Sequence, residues 1–185
     1  MTDWQVGQIS GLDDAALAAA VTERFQAIFR NDFADVPFLN DALGIEVRAT
    51  RRMDEGWRVF LLLTPWMLSR LFLPERDPGL PVPDAWRAEA RARTPYVVIG
   101  PRISLPLLGG LQQAHINYDA TLGHYVVQPL VQSMSGYRSA DAVFAAWNDV
   151  IAARARVMDE QQRECPWQRE LSRREFFGRL VRPRG

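Results

Sequence analysis

The chain has 185 residues, 48% of them apolar and 24% charged, and its 22 basic residues balance its 22 acidic ones. That size and polarity suit one sizeable core rather than two, and zero net charge gives no overall footprint for nucleic acid. Every basic residue is Arg, as GC-rich coding produces, so a Walker-type phosphate loop, a Schiff base and a Lys general base are all excluded.

A lone Cys165 forms no internal disulfide and no thiolate zinc site, which fits a reducing compartment. Asp3, Trp4 and Gln5 stand where a secretory signal would place basic and then apolar residues. The apolar run ending at Leu68 contains Pro65 and is too short to span a bilayer. The expectation is a cytoplasmic protein with no stable membrane insertion and no nucleic-acid partner.

The first predicted element is a helix over about 12–33. Ser10 and Asp13 mark its start, and Leu17, Val21, Phe25, Ile28 and Phe29 form one stripe. Asp35, Pro37 and Asn40 break it. Ile45, Val47 and Ala49 then alternate with Glu46, Arg48 and Thr50, and Asp54-Glu55-Gly56 supplies a turn, so 45–63 reads as an antiparallel hairpin.

The stretch Trp57 to Pro74, WRVFLLLTPWMLSRLFLP, holds two of the six tryptophans. Pro65 removes a backbone donor at the end of its alternating half, which predicts a strand that stops. Thr64 fits an N-cap and Pro65 the first helical position, predicting a short helix through Trp66, Met67, Arg70 and Leu71. Two readings of Pro65, Trp66, Met67, Leu68, Leu71 and Phe72 stand side by side: core, or a partner-binding site for an apolar peptide, since Trp and Met make adaptable apolar surface.

Residues 74–83 hold four prolines and read as a loop. Asp84 starts a short helix through Trp86 and Arg91, and Tyr96 to Ile99 is a β-rich run. Pro101, Pro106, Gly109 and Gly110 bracket an apolar loop that either folds inward or adds to a binding surface. Ala114, Ile116 and Tyr118 alternate in a strand. Gly123 to Val131 forms another, which Pro129 makes an edge or bulged strand. From Ser139 and Asp141 a helix runs to about Glu160 with Val143, Trp147, Val150, Ile151 and Met158 on one face. The fold class predicted is α+β: a small antiparallel sheet packed with N-terminal and C-terminal amphipathic helices in a single domain over 1–168, followed by a basic tail over 169–185.

Catalytic signatures are absent. The two histidines, His115 and His124, lie in predicted strands without a nucleophile elbow, a zinc-binding helix motif or a glycine-rich nucleotide fingerprint, and read as hydrogen-bonded structural residues. Asp13-Asp14 and Asp54-Glu55 sit at a helix start and a turn, where carboxylates cap and solvate. The expectation is no enzyme, no cofactor and no metal.

Several ordered pieces together resemble the HybE/HupJ family of nickel-iron hydrogenase assembly chaperones. They are Pro37-Phe38-Leu39-Asn40 with Ala42-Leu43 and Ile45-Glu46-Val47, then Gly56-Trp57, Thr64-Pro65-Trp66-Met67-Leu68-Ser69 ending at Leu73-Pro74, Gly123-His124-Tyr125, and Ser172-Arg173-Arg174-Glu175-Phe176-Phe177-Gly178. Together they cover about residues 20–180. Where relatives carry a Cys-Ser-Leu-x-Ser-Pro-Met type run, this chain has Val127-Gln128-Pro129-Leu130-Val131-Gln132-Ser133, so no thiol function carries over. The segment 101–110 is longer than the family pattern.

The resemblance implies a cytoplasmic chaperone of hydrogenase maturation that binds the small-subunit precursor or its twin-arginine signal peptide, alongside other maturation proteins. A different exported metalloenzyme as client, or a small enzyme, are the alternatives. Arg173, Arg174, Phe176 and Phe177 resemble a twin-arginine motif, but no apolar h-region follows them, so they cannot form an export signal. They are expected either to dock as a short helix or to occupy the client site as a pseudo-signal.

Overall fold

A computed structural model describes residues 3–37, 39–53, 56–107 and 110–164. Its centre is a six-stranded sheet, antiparallel at every pairing, built from β1 (Glu46–Met53), β2 (Trp57–Thr64), β3 (Met67–Pro74), β4 (Arg102–Leu107), β5 (Gly110–Asp119) and β6 (Gly123–Val131). The order β1-β2-β3-β6-β5-β4 joins two three-stranded meanders through β3 and β6. The α+β class follows as predicted.

The first meander opens with the expected hairpin. Gly56 takes φ +80 in its turn, a conformation that side chains disfavour, and Trp57 pairs with Met53. Edge strand β1 carries a bulge between Arg48 and Arg51, with Ala49 at φ +56, and exposes Arg51 and Arg52. Bulge and charge together blunt an edge that would otherwise template pairing with another chain.

The predicted helix after Pro65 does not form. Residues 67–74 are β3, paired along its whole length with β2, and Pro65-Trp66 is a two-residue hairpin loop between Thr64 and Met67. Two-residue hairpins favour residues with positive φ, and neither Pro65 nor Trp66 has it. The buried Thr64 hydroxyl clasps the turn instead: it donates to the Met67 carbonyl (2.9 Å) and accepts from the Met67 N–H (3.2 Å).

The second meander also departs from expectation. The apolar segment 102–107, predicted as a loop, is edge strand β4, with Leu105 buried against the sheet. Tyr96–Ile99 is not a strand. Fully buried Asn117 holds it, donating from Nδ2 to the carbonyls of Val97 and Val98 (3.1 Å each). β6 is central rather than an edge; it tolerates Pro129 at an irregularity in its pairing with β3, beyond the last residue pair it makes with β5.

One face of the sheet is covered by α1 (Asp14–Ile28). Asp13 caps this helix by accepting from the Ala16 N–H at 2.8 Å, worth about 1 kcal/mol. Its stripe Leu17, Val21, Phe25 and Ile28 packs on Phe60, Leu62, Met67, Leu71, Leu73, Tyr125 and Val127. On the opposite face Trp57, Val59, Phe72, Ala114, Ile116 and Val126 pack beneath Trp4 and the proline-rich loop's Leu80 and Val82. Because β2, β3 and β6 are covered on both faces, they read as continuous apolar runs rather than clean alternations.

Buried Arg58 fastens the start of α1 to the sheet, donating to Asp14 (2.5 Å), Glu75 (2.8 Å) and the Leu12 carbonyl (2.6 Å). After a short α2 (Ala88–Arg91), the last helix among the described residues, α3 (Ala140–Glu164), begins where the Ser139 hydroxyl accepts from the Ala142 N–H. The chain divides into two compact units, Met1–Val143 and Phe144 onward. In α3, Val143 and Phe144 are buried, but Val150, Ile151 and Met158, expected on a buried face, are exposed. No described helix is long and apolar enough to cross a membrane.

Candidate functional site

The β2–β3 loop presents Trp66 at the end of α1. There the helix widens into a π-helical turn, Phe29–Phe33, a local geometry frequent at functional sites. Phe29 and Phe33, four residues apart, both stack on Trp66, with ring centroids at 6.3 and 4.7 Å. Tyr96 meets Phe33 edge to face at 6.1 Å. All four rings are half-buried, and Val36, whose N–H bonds the Phe33 carbonyl, is 43% exposed. The Trp66 indole N–H, shielded from water, has no acceptor among the described residues.

Several hydrogen bonds frame this shelf. Asn40 donates its backbone N–H to the Pro65 carbonyl (3.3 Å) and its side-chain amide to the carbonyls of Met134 and Tyr137 (2.7 Å each). It thereby ties the segment after the π turn both to the Trp66 loop and to the turn following β6. Tyr96 and Tyr125 share a hydroxyl–hydroxyl bond of 2.9 Å, and burial pushes both phenols up from their ordinary pKa. Beyond Tyr96 lies a cleft of about 150 Å³ lined by Arg24, Asp32, Arg91, Tyr118 and Asp119. Inside it Asp119 accepts two bonds from Arg24 (2.8 and 2.6 Å). The hydrogen bond to Asp119 raises the Arg24 pKa. Asp32 and Asp35, which flank Phe33 in the chain, are exposed.

The predicted site residues separate. Met67, Leu68, Leu71 and Phe72 are buried in β3, with Met67 3% and Phe72 0% exposed, and Pro65 is buried in the hairpin loop; of the six only Trp66 reaches the surface. Arg173, Arg174, Phe176 and Phe177 lie outside the described residues. His124 is a structural histidine as expected: its Nδ1 accepts from the Gln5 N–H (2.8 Å) and its Nε2–H donates to the Trp86 carbonyl (2.9 Å). His115 binds the Gly100 carbonyl through Nδ1 at 2.7 Å. Among the described residues no three His, Cys, Asp or Glu side chains gather as metal ligands. Nothing in the sequence joined Trp66 to Phe29, Phe33 and Tyr96. The one available signal was the i, i+4 spacing of the two phenylalanines.

The model of the NiFe-hydrogenase assembly chaperone HybE family matches residues 16–179, nearly the whole chain. The chain belongs to that family. Its fold is similar to the solution structure of HybE from Escherichia coli, at 21% identity and a TM-score of 0.51, over 82% of this chain and 81% of that one. No curated protein sequence matches. The HybE-family match makes the chain a hydrogenase assembly chaperone, and both TPWM, as the clasped hairpin loop, and Asn40, as its anchor, help to frame the aromatic shelf.

Proposed function

We propose that this chaperone acts in the cytoplasm by holding the small-subunit precursor of a nickel-iron hydrogenase through its twin-arginine signal, with the signal's apolar region on the shelf of Trp66, Phe29, Phe33 and Tyr96. The observation that supports this reading is the half-buried Trp66, stacked by two phenylalanines, one of which, Phe33, lies between the exposed Asp32 and Asp35 in the chain. An apolar helix or strand covers such rings, and the exposed carboxylates attract the signal's arginines.

Burial of roughly 400 Å² of apolar surface is worth on the order of 10 kcal/mol gross, against about 4–15 kcal/mol for association. The result is a micromolar complex that forms and releases, as a holding chaperone requires. The test is co-expression with the precursor, with and without its signal, followed by calorimetry with the signal peptide. Signal-dependent co-purification is expected, and Trp66→Ala should weaken peptide binding by roughly tenfold or more while leaving the fold intact. Equal capture of the signal-less subunit, with affinity for the peptide unaffected by Trp66→Ala, overturns the reading.

A further inference from the structure

The two edges of the sheet differ. β1 is bulged, whereas β4 pairs with β5 without interruption. The bond from the Ile116 N–H to the Pro101 carbonyl (3.0 Å) lies in the same register as Ile103↔Ala114 and Leu105↔Gln112, so the odd-numbered residues of this segment are the ones hydrogen-bonded to β5. The N–H and C=O groups of Arg102 and Ser104 therefore point off the sheet. Pro106 obeys the same parity: the donor that it lacks would also point outward, so the β4–β5 ladder loses nothing by it. What is left is a row of unpaired backbone groups, the template to which a strand from another chain adds.

The edge adjoins a cavity. The sheet curls far enough that Trp57 on β2 and Leu105 on β4, four strands away, line one space of about 320 Å³ together with Leu80 and Pro106. Leu105 and Ile103 face the Trp57 side, and Arg102 and Ser104 face the other. Arg76, exposed at the same cavity, and exposed Arg102 meet no carboxylate among the described residues; Asp77, beside Arg76, accepts from the Gly79 N–H (2.8 Å).

We propose that β4 takes up an extended segment of a partner protein as a seventh strand, apolar on one face and acidic on the other. In an antiparallel addition, the residues opposite Leu105 and Ile103 face the cavity side, where an apolar side chain enters the space between Leu105 and Trp57. The residue opposite Arg102 faces its guanidinium, which favours a carboxylate. The partner sequence is therefore apolar-x-apolar-acidic. A second copy of β4 is the poorer occupant: centred on Ser104, it sets Pro106 against Arg102 and leaves the Arg102 carbonyl without a donor in both strands. The site shares no residue with the Trp66 shelf and stands independently of what that shelf binds.

The probe is the peptide Ser-Gly-Leu-Thr-Leu-Glu-Gly-Ser, acetylated and amidated at its ends and added to the full chain, read by calorimetry and amide hydrogen exchange. Binding at on the order of 0.1–1 mM is expected, with exchange slowed about tenfold at Arg102 and Ser104 but unchanged at Ile103 and Leu105, whose N–H groups β5 already holds. Replacing the peptide's Glu by Arg should weaken binding about fivefold. Ser104→Pro removes an outward donor without touching the β5 ladder and should weaken it about tenfold. Arg102→Glu keeps every backbone bond and should reverse the preference between the two peptides, so it decides the matter even where Ser104→Pro fails to fold. Neither variant should change binding of the twin-arginine signal peptide. Four results overturn the inference: no saturable binding up to about 10 mM, binding without slowed exchange at Arg102 and Ser104, slow exchange at those amides before peptide is added, or a peptide preference indifferent to Arg102→Glu.

Discussion

His124 should make the fold sensitive to mild acid. The ring is fully buried, with Trp4 and Tyr118 against it at 5.3 and 4.8 Å, and both nitrogens are committed: Nδ1 as acceptor to Gln5, Nε2–H as donor to Trp86. Burial lowers its pKa below the ordinary 6.5, while the bond to the Trp86 carbonyl and the carboxylates of Glu89 and Asp3 pull the other way. A lowered value means that the unfolded chain takes up the proton first. The stabilisation is therefore complete above pH 6.5 and is lost as pH falls from there through the folded value.

In that window the loss approaches about 1.4 kcal/mol per pH unit, or about 3–5 °C in melting temperature for a chain of this size. A protonated ring also leaves Nδ1 unable to accept, so the N-terminal segment, bridged at Val6 to Gly123, should release first. The assay is thermal melting of the native chain and of His124→Gln, which offers an acceptor and a donor but does not titrate, at pH 7.5 and 5.5. The native chain should lose more stability than the variant between the two. Equal losses would refute the assignment of His124 as a buried neutral staple.

The hairpin 46–64 was legible because its signals agree: alternation on β1, a glycine where φ must be positive, and apolar residues on β2. The segment after Pro65 was not, because Met67, Leu68, Leu71 and Phe72 fit both a helix stripe and a strand buried on both faces, and periodicity cannot separate those two. Pro65 pointed to a strand end, whereas the Thr64 clasp lets it occupy a hairpin loop that lacks the usual glycine. β4 was hidden the same way, since Pro106 suggests a loop but is tolerated on an edge strand. Of the candidate site, Trp66 stood out in the sequence as a tryptophan within the apolar run. Its neighbours were not, because Phe33 and Tyr96 reach it only through the π turn and through Asn117, whose bonds hold 96–99 beside the sheet without strand pairing.

Two further substitutions probe what holds the shelf in place. Arg58→Met removes three charge-assisted bonds from a buried guanidinium; because Asp14 is 60% exposed and Glu75 keeps Arg52 at 2.7 Å, the loss should be about 2–4 kcal/mol in urea unfolding rather than the full value for an isolated buried pair. A change under about 0.5 kcal/mol would mean that the network is only a surface contact. Asn40→Asp makes the sharper test, because it keeps size and shape while exchanging a double donor for a carboxylate. The Met134 and Tyr137 carbonyls, each 2.7 Å from the amide nitrogen, would then face a negative oxygen, whereas the Ala42 N–H would keep its acceptor. Losing both bonds and gaining that repulsion should cost about 3 kcal/mol, more than Asn40→Ala, which leaves the two carbonyls unmet but introduces no charge. The damage should also be local. Hydrogen exchange should quicken at Leu43, whose N–H bonds the Asn40 carbonyl, and at Tyr137, whose N–H closes the turn from Met134, and binding of the signal peptide should weaken as Pro65 and Trp66 lose their anchor. If Asn40→Asp and Asn40→Ala prove equally mild, with unchanged exchange at those amides, the Asn40 side chain does not brace the Trp66 loop, which is then held by the Asn40 N–H to the Pro65 carbonyl and by the Thr64 clasp.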